Sequence, residues 1–213
     1  DHPFLTPRGL VQAAHLVPGS DVAACVQPQS DFGSQTISLE ESRLLGYLVG
    51  DGSCQHSQCG VTNANAAVVQ DVEICAASLG FATRRAKKTN VKAVFVVLNP
   101  TSKWGKTKGP HPVRSFLSRH DLLDTNSYTK RVPKAVLAGN LDIVRAFLGA
   151  YWSCDGFVTK KDPTRSGFVI GADTVSEGLA KDLQHLLMRL GIMARVRKRV
   201  ASIKTKRQNG DKY

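Results

Sequence analysis

Leu44-Leu45-Gly46-Tyr47-Leu48-Val49-Gly50-Asp51-Gly52 has a near-copy later in the chain, Leu148-Gly149-Ala150-Tyr151-Trp152-Ser153-Cys154-Asp155-Gly156. Each is an apolar, helix-like run that stops on Asp-Gly. Small residues recur four apart in both, Gly46 and Gly50 in the first, Ala150 and Cys154 in the second. Positions four apart share one face of a helix, so two such helices can approach closely along that face. Packed about a pseudo-twofold axis, they would set Asp51 and Asp155 side by side at the ends of their last turns.

Two carboxylates there repel each other and the negative ends of their helices. A divalent cation removes the conflict. Mg²⁺ accepts carboxylate, carbonyl and water oxygens and needs few protein ligands. Asp51, Asp155 and the adjoining carbonyls of Gly50 and Cys154 are therefore the candidate metal donors. Metal ions so placed activate water and stabilise the leaving oxygen of a phosphodiester. A single Asp-Gly is also a common turn pair. Its doubling inside a repeated unit favours the chemical reading.

The repetition extends outward. Ser38 and Glu41 make a capping box ahead of the first run, and Asn140 caps the second. Asn65 and Ser176 each cap a following helix, which ends at Leu79-Gly80-Phe81 and at Leu190-Gly191-Ile192. The aspartates are 104 residues apart and these helix ends 111, so the second half carries seven extra residues, which a loop at Lys161-Asp162-Pro163-Thr164-Arg165 absorbs. With that offset Arg84 aligns with Arg195 and Lys88 with Arg199. Strands are predicted within 53–63, over 81–88 and 91–98, within 157–173, and from Ile192. Further helices are predicted over 112–123 and from Pro133. Gly52 reads as a left-handed helix stop. The expected fold class is α+β, built as a duplicated helix–two strands–helix–two strands unit, with a β-rich stub at 1–36, a first repeat and connector at 37–139 and a second repeat at 140–213.

The chain has 29 Lys and Arg against 17 Asp and Glu, a formal net charge of +12. Residues 192–213 hold eight basic side chains and one acid. Such clustering points to a polyanionic partner. On alternating strand faces, Arg195, Arg197 and Arg199 share one side, as do Arg84 and Lys88, and as do Ser53, Gln55 and Ser57. A basic, polar sheet face of this kind fits the major groove of double-stranded DNA, its cations meeting phosphates and guanine edges. Lys160, Lys161, Arg165, Lys204 and Lys206 complete the candidate DNA-binding set. Five irregularly spaced cysteines argue against a disulfide framework. They favour a reducing, intracellular setting: cytoplasm or nucleoid, or nucleus or organelle in a eukaryote. No apolar run has membrane-spanning length. A zinc module from Cys54, His56 and Cys59 lacks regular spacing and an evident fourth ligand.

The paired motifs resemble those of the LAGLIDADG (dodecapeptide) homing endonucleases in their single-chain, two-motif form. The resemblance covers roughly residues 38–213. It implies two saddle-shaped antiparallel sheets in an αββαββα repeat, a monomer with internal pseudo-symmetry, and metal-dependent hydrolysis of both DNA strands. It also implies a long asymmetric site, cleavage across the minor groove and short 3′ overhangs. The implied cofactor is Mg²⁺ or Mn²⁺, with Ca²⁺ binding without supporting cleavage. Lys130-Arg131-Val132-Pro133 resembles the Lys-x-Ile-Pro element that precedes the second motif in intein-borne members, which makes Lys130 the candidate catalytic lysine, stabilising phosphorane charge or tuning a water. Lys160, Lys204 and Lys206 are open choices for its second-half counterpart. Val49, Ser153 and Ala150 depart from the usual motif without removing either principal acid.

A separate match lies at the N-terminus. Asp1-His2-Pro3-Phe4-Leu5-Thr6, Gly9-Leu10 and Leu16-Val17-Pro18-Gly19-Ser20-Asp21-Val22 are similar to the His-containing block of intein splicing domains, with His2 as that block's histidine. The expectation is an endonuclease domain from an intein with a splicing-domain remnant that does not itself splice. The competing reading is a LAGLIDADG-type DNA-binding protein or RNA maturase that no longer cuts.

Overall fold

The computed structural model describes residues 3–6, 9–17, 37–54, 58–87, 92–104, 109–160 and 167–198. The elements in chain order are β1 (Pro3–Thr6), β2 (Gly9–Gln12), α1 (Leu39–Gly50), β3 (Gly52–Ser53), β4 (Cys59–Asn63), α2 (Ala66–Ser78), β5 (Phe81–Lys87) and β6 (Val94–Pro100). They continue with α3 (Pro112–Arg119), α4 (Lys134–Leu137), α5 (Leu141–Asp155), β7 (Gly156–Lys160), β8 (Phe168–Ala172) and α6 (Glu177–Arg189). The chain is thus α+β, with antiparallel pairing throughout its described sheets.

Helices α1 and α5 pack along their small residues. A Cβ on Gly46 would lie 2.5 Å from the Phe147 carbonyl oxygen and 2.8 Å from Ala150 Cβ, and one on Gly50 would lie 2.7 Å from Cys154 Cβ. No real side chain tolerates such distances, so glycine is what permits the contact. Ser42 Oγ, fully buried, donates across the seam to the Ile143 carbonyl at 2.7 Å. Leu44, Leu45, Leu48, Ile143, Phe147 and Tyr151 are sealed around it. At the roughly 1.5–3 kcal/mol expected for each large apolar side chain removed from water, this seam is the centre of the core.

The start of α1 follows half of the capping box. Ser38 Oγ accepts from the Glu41 amide at 3.0 Å. The Glu41 carboxylate does not return to Ser38. It accepts from Arg119 Nη2 at 2.7 Å and meets His120 Nε2 at 2.8 Å, which pins α1 to the end of α3.

Strands β3, β4, β6 and β5 form a four-stranded sheet in that spatial order. Val61, Val96 and Leu98 are buried in it, and α2, with Val68, Val69, Val72 and Cys75 buried, packs against both the sheet and α1. In the second half β7 pairs with β8, and α6 follows.

Three sequence expectations are corrected. The helix predicted over 112–123 ends at Arg119, because Asp121 and Asp124 adopt left-handed backbone (φ 56° and 58°). Residues 192–198 form no strand. The Ile192 amide is tied back to the Leu187 carbonyl at 2.9 Å and Gln184 Nε2 donates to the Ala194 carbonyl at 2.7 Å, so the segment is held to α6. Among the described residues the second sheet is therefore two-stranded. Gly52, finally, is not left-handed. It is glycine because a Cβ would strike the Leu48 carbonyl oxygen at 2.2 Å. The left-handed stops are Gly80 and Gly191, at φ 76° and 75°.

Candidate functional site

Asp51 caps the C-terminus of α1 and Asp155 is the last residue of α5. Because the helices touch at Gly50 and Cys154, their ends meet and the two acids meet with them. A Cβ on Gly50 would lie 3.7 Å from Asp155 Oδ2. Burial and the neighbouring Asp51 charge push the Asp155 carboxyl above its ordinary value. The Cys154 thiol, set against the same pair, is pushed up to about 12 by burial and by the Asp51 charge.

The surroundings of the two acids differ. Asn63 Nδ2 donates to Asp51 Oδ2 at 2.6 Å, while Asn63 Oδ1 accepts from the Asn65 amide at 2.7 Å. With its oxygen so used, the amide can only present its N–H to Asp51, which holds that carboxylate in one orientation. Tyr151 stands on the Asp155 side. Its hydroxyl is buried without a hydrogen-bond partner of full geometry, and burial and the Asp155 charge both disfavour its ionisation. Neither Asn63 nor Tyr151 was singled out from sequence. The only sequence signal for Asn63 was its place two residues before the Asn65 cap.

Lys130 reaches this site from the connector. Its side chain is buried, and Nζ donates to the carbonyls of Val49 at 2.9 Å, Gly50 at 3.3 Å and Gly52 at 2.8 Å. An ammonium carries three donors, so all three are used, two on the C-terminus of α1 and one on the start of β3. Burial lowers its pKa, against the pull of the Cys54, Asp155 and Asp51 charges. The Gly50 carbonyl, a candidate metal donor, is therefore already engaged by Lys130.

Among the described residues, no group of three or more His, Cys, Asp or Glu side chains gathers as a metal cage. Two adjacent carboxylates do fit a hard cation that keeps most of its water, which is how Mg²⁺ is usually held. They do not fit zinc, and Cys54 and Cys59 find no third ligand among the described residues.

The candidate DNA-binding residues are spread over the surface. Ser53 is exposed on β3, Arg84 is exposed on β5, and Lys160 is exposed at the end of β7. Arg85 pairs with Glu73 of α2 through two bonds at 2.7 and 2.8 Å, so its neighbour Arg84 lies on the sheet face turned away from that helix. Arg195 and Arg197 are exposed, but on irregular chain rather than on an alternating strand face. Gln55, Ser57, Lys88, Lys161, Arg165, Arg199, Lys204, Lys206 and His2 lie outside the described residues.

Residues 142–212 match the family model of the LAGLIDADG-like domain. The matched segment takes in most of α5 with Asp155, then β7, β8 and α6. The chain is also 31% identical over 200 residues to the replicative DNA helicase DnaB of Synechocystis sp., covering 93% of this chain and 23% of that protein. It is 28% identical over 199 residues to DnaB of Rhodothermus marinus, covering 92% and 21%. It is 29% identical over 206 residues to the protein RecA of Mycobacterium tuberculosis, covering 92% and 24%. The chain thus spans about a fifth to a quarter of the length of these relatives. No helix of the described residues is long and apolar enough to cross a membrane.

Proposed function

We propose that this chain is a site-specific DNA endonuclease of the LAGLIDADG homing type, hydrolysing both strands of a long asymmetric duplex site and leaving short 3′ overhangs. The observation that carries this reading is the meeting of Asp51 and Asp155 at the joined ends of α1 and α5, forced by the Gly46–Ala150 and Gly50–Cys154 contacts. The acids would hold Mg²⁺ or Mn²⁺, which supplies an activated water and charge stabilisation at the leaving oxygen. Asn63 orients Asp51, and Lys130 holds the end of α1 rigid beside the reacting groups.

The reading of the fold as a duplication draws on matched local geometry. Asn65 and Ser176 cap α2 and α6 with similar backbones (φ −82°, ψ 119° and φ −85°, ψ 109°). The cap amides donate to Asn63 Oδ1 and Thr174 Oγ1, which are again 111 residues apart. Origin as an insert is supported by the comparisons: over 90% of this chain matches proteins with different names while occupying under a quarter of each. A passenger carried by differently named hosts has that signature. The basic excess supplies the electrostatics for duplex DNA, with major-groove contact through the sheets and a monomeric, intracellular enzyme as the working picture.

The test is selection from a library of random duplexes with Mg²⁺, followed by sequencing of cut ends. The wild-type chain should yield one long site, cut on both strands, and the Asp51→Asn, Asp155→Asn double variant should bind that site without cutting. Cleavage by the double variant would place the chemistry elsewhere. One observation favours the non-cutting alternative: every Nζ donor of Lys130 is spent on carbonyls, which leaves none for a phosphate. Selective binding with no cleavage in Mg²⁺ or Mn²⁺ would establish that alternative.

A further inference from the structure

Strands β3 and β4 pair antiparallel, with Gly52 opposite Val61 and Ser53 opposite Gly60. One step along the same register sets Cys54 opposite Cys59. Directly opposed residues of an antiparallel pair have Cα atoms about 4.5 or 5.5 Å apart, and a disulfide needs roughly 4.4–6.8 Å. Either spacing suffices. Both residues are free thiols, 2% and 8% exposed. Their backbones are pinned from outside the pair: the Asp124 amide donates to the Cys54 carbonyl at 3.0 Å, and Cys59 pairs across to Leu98 of β6. The other described cysteines sit in different company, Cys75 against Arg43 and Cys154 against Gly50.

We propose that Cys54 and Cys59 are a redox-active thiol pair that closes into a cross-strand disulfide when a peroxide is the oxidant. The Cys59 S–H faces the Cys54 sulfur and the Lys130 ammonium lies near it, and both favour the Cys54 thiolate. That thiolate attacks one peroxide oxygen. An S–O bond forms, the O–O bond breaks, and the departing hydroxide takes a proton to become water. The Cys59 sulfur then attacks the Cys54 sulfenic sulfur, the S–S bond forms, the S–O bond breaks, and a second water leaves with the Cys59 proton. Two thiols are oxidised and one peroxide is reduced to two waters. The bond staples the strand that carries Gly52, whose carbonyl holds Lys130, so oxidation locks one of that lysine's acceptors in place. The proposal does not depend on the endonuclease reading.

The test is to treat the folded full chain with hydrogen peroxide, unfold it in alkylating reagent and map each cysteine by mass spectrometry. Wild type should lose alkylation at Cys54 and Cys59 together, recover it after dithiothreitol, and melt at a higher temperature when oxidised. Cys54→Ser should abolish the recoverable loss at Cys59, Cys59→Ser should stop at a Cys54 sulfenic acid with no disulfide-linked peptide, and both should abolish the melting shift. The proposal fails if both wild-type thiols remain alkylatable, if Cys54 is found as sulfinic acid beside a free Cys59, or if either sulfur is bonded to another cysteine. Should either variant not fold, the wild-type map alone still decides.

Discussion

Lys130 Nζ donates to the Gly52 carbonyl at 2.8 Å, bridging 78 residues of sequence. The same ammonium donates to Val49 and Gly50, which satisfies carbonyls that the C-terminus of a helix leaves without partners. Lys130→Met removes the donors and leaves buried acceptors unpaired, at about 1–3 kcal/mol. Lys130→Arg should recover little, since a planar fork cannot reproduce three convergent bonds from one nitrogen. Urea unfolding of both variants checks this. Equal stability of wild type and Lys130→Met would show that the capping bonds contribute nothing.

Asn63 has a single orientation that serves both Asp51 and the Asn65 amide. Asn63→Ala frees the Asp51 carboxylate and should weaken Mn²⁺ binding by roughly tenfold or more, in the range seen when groups supporting a metal ligand are lost. Titration with Mn²⁺ by electron paramagnetic resonance reads this directly. Asp51→Asn is the reference for complete loss. Unaltered Mn²⁺ affinity in Asn63→Ala, with loss in Asp51→Asn, would leave the metal site standing and remove Asn63 from it.

The contact of α1 with α5 was legible because it depends on a local pattern, small residues four apart, repeated in two places. The caps Ser38, Asn65, Asn140 and Ser176 were legible for the same reason: each is a short-range bond within three residues. Asn63 was not, because its role arises only once β4 is brought beside Asp51, whereas Tyr151 lies four residues before Asp155 on α5 and that spacing was itself a signal. Glu41 misled by satisfying a local rule while its carboxylate was claimed by Arg119 and His120, 78 and 79 residues away. Gly52 misled in another way. Close approach to Leu48 and left-handed backbone both demand glycine, and a sequence does not say which. The alternation of Arg195 and Arg197 had strand period, but no partner strand pairs with it among the described residues.

The burial of His120 makes stability depend on pH. Burial holds the His120 imidazole below its ordinary value, against the pull of Glu41. The unfolded chain therefore binds that proton more tightly than the folded one. This contribution is fully present above about pH 6.5, the unfolded value, and is lost as pH falls below it. His120→Gln should flatten the melting temperature between about pH 7 and 5 relative to wild type. A wild-type profile that rises toward acid would contradict the direction of the shift.

Gly46 is the sharpest test of the helix contact. Its missing side chain lets the Phe147 carbonyl and Ala150 approach within distances that no Cβ could share. Gly46→Val must push α5 away, at about 1–3 kcal/mol or more for overpacking. Because Asp51 and Asp155 ride on the ends of the same two helices, the displacement should also separate the acids. Gly149→Val is the control, since a side chain there meets nothing within 4 Å. Gly46→Val should therefore lower both the melting temperature and the Mn²⁺ affinity, whereas Gly149→Val should leave the Mn²⁺ affinity near wild type. If Gly46→Val loses stability alone and still binds Mn²⁺ as wild type does, the metal donors are not the two acids at this seam.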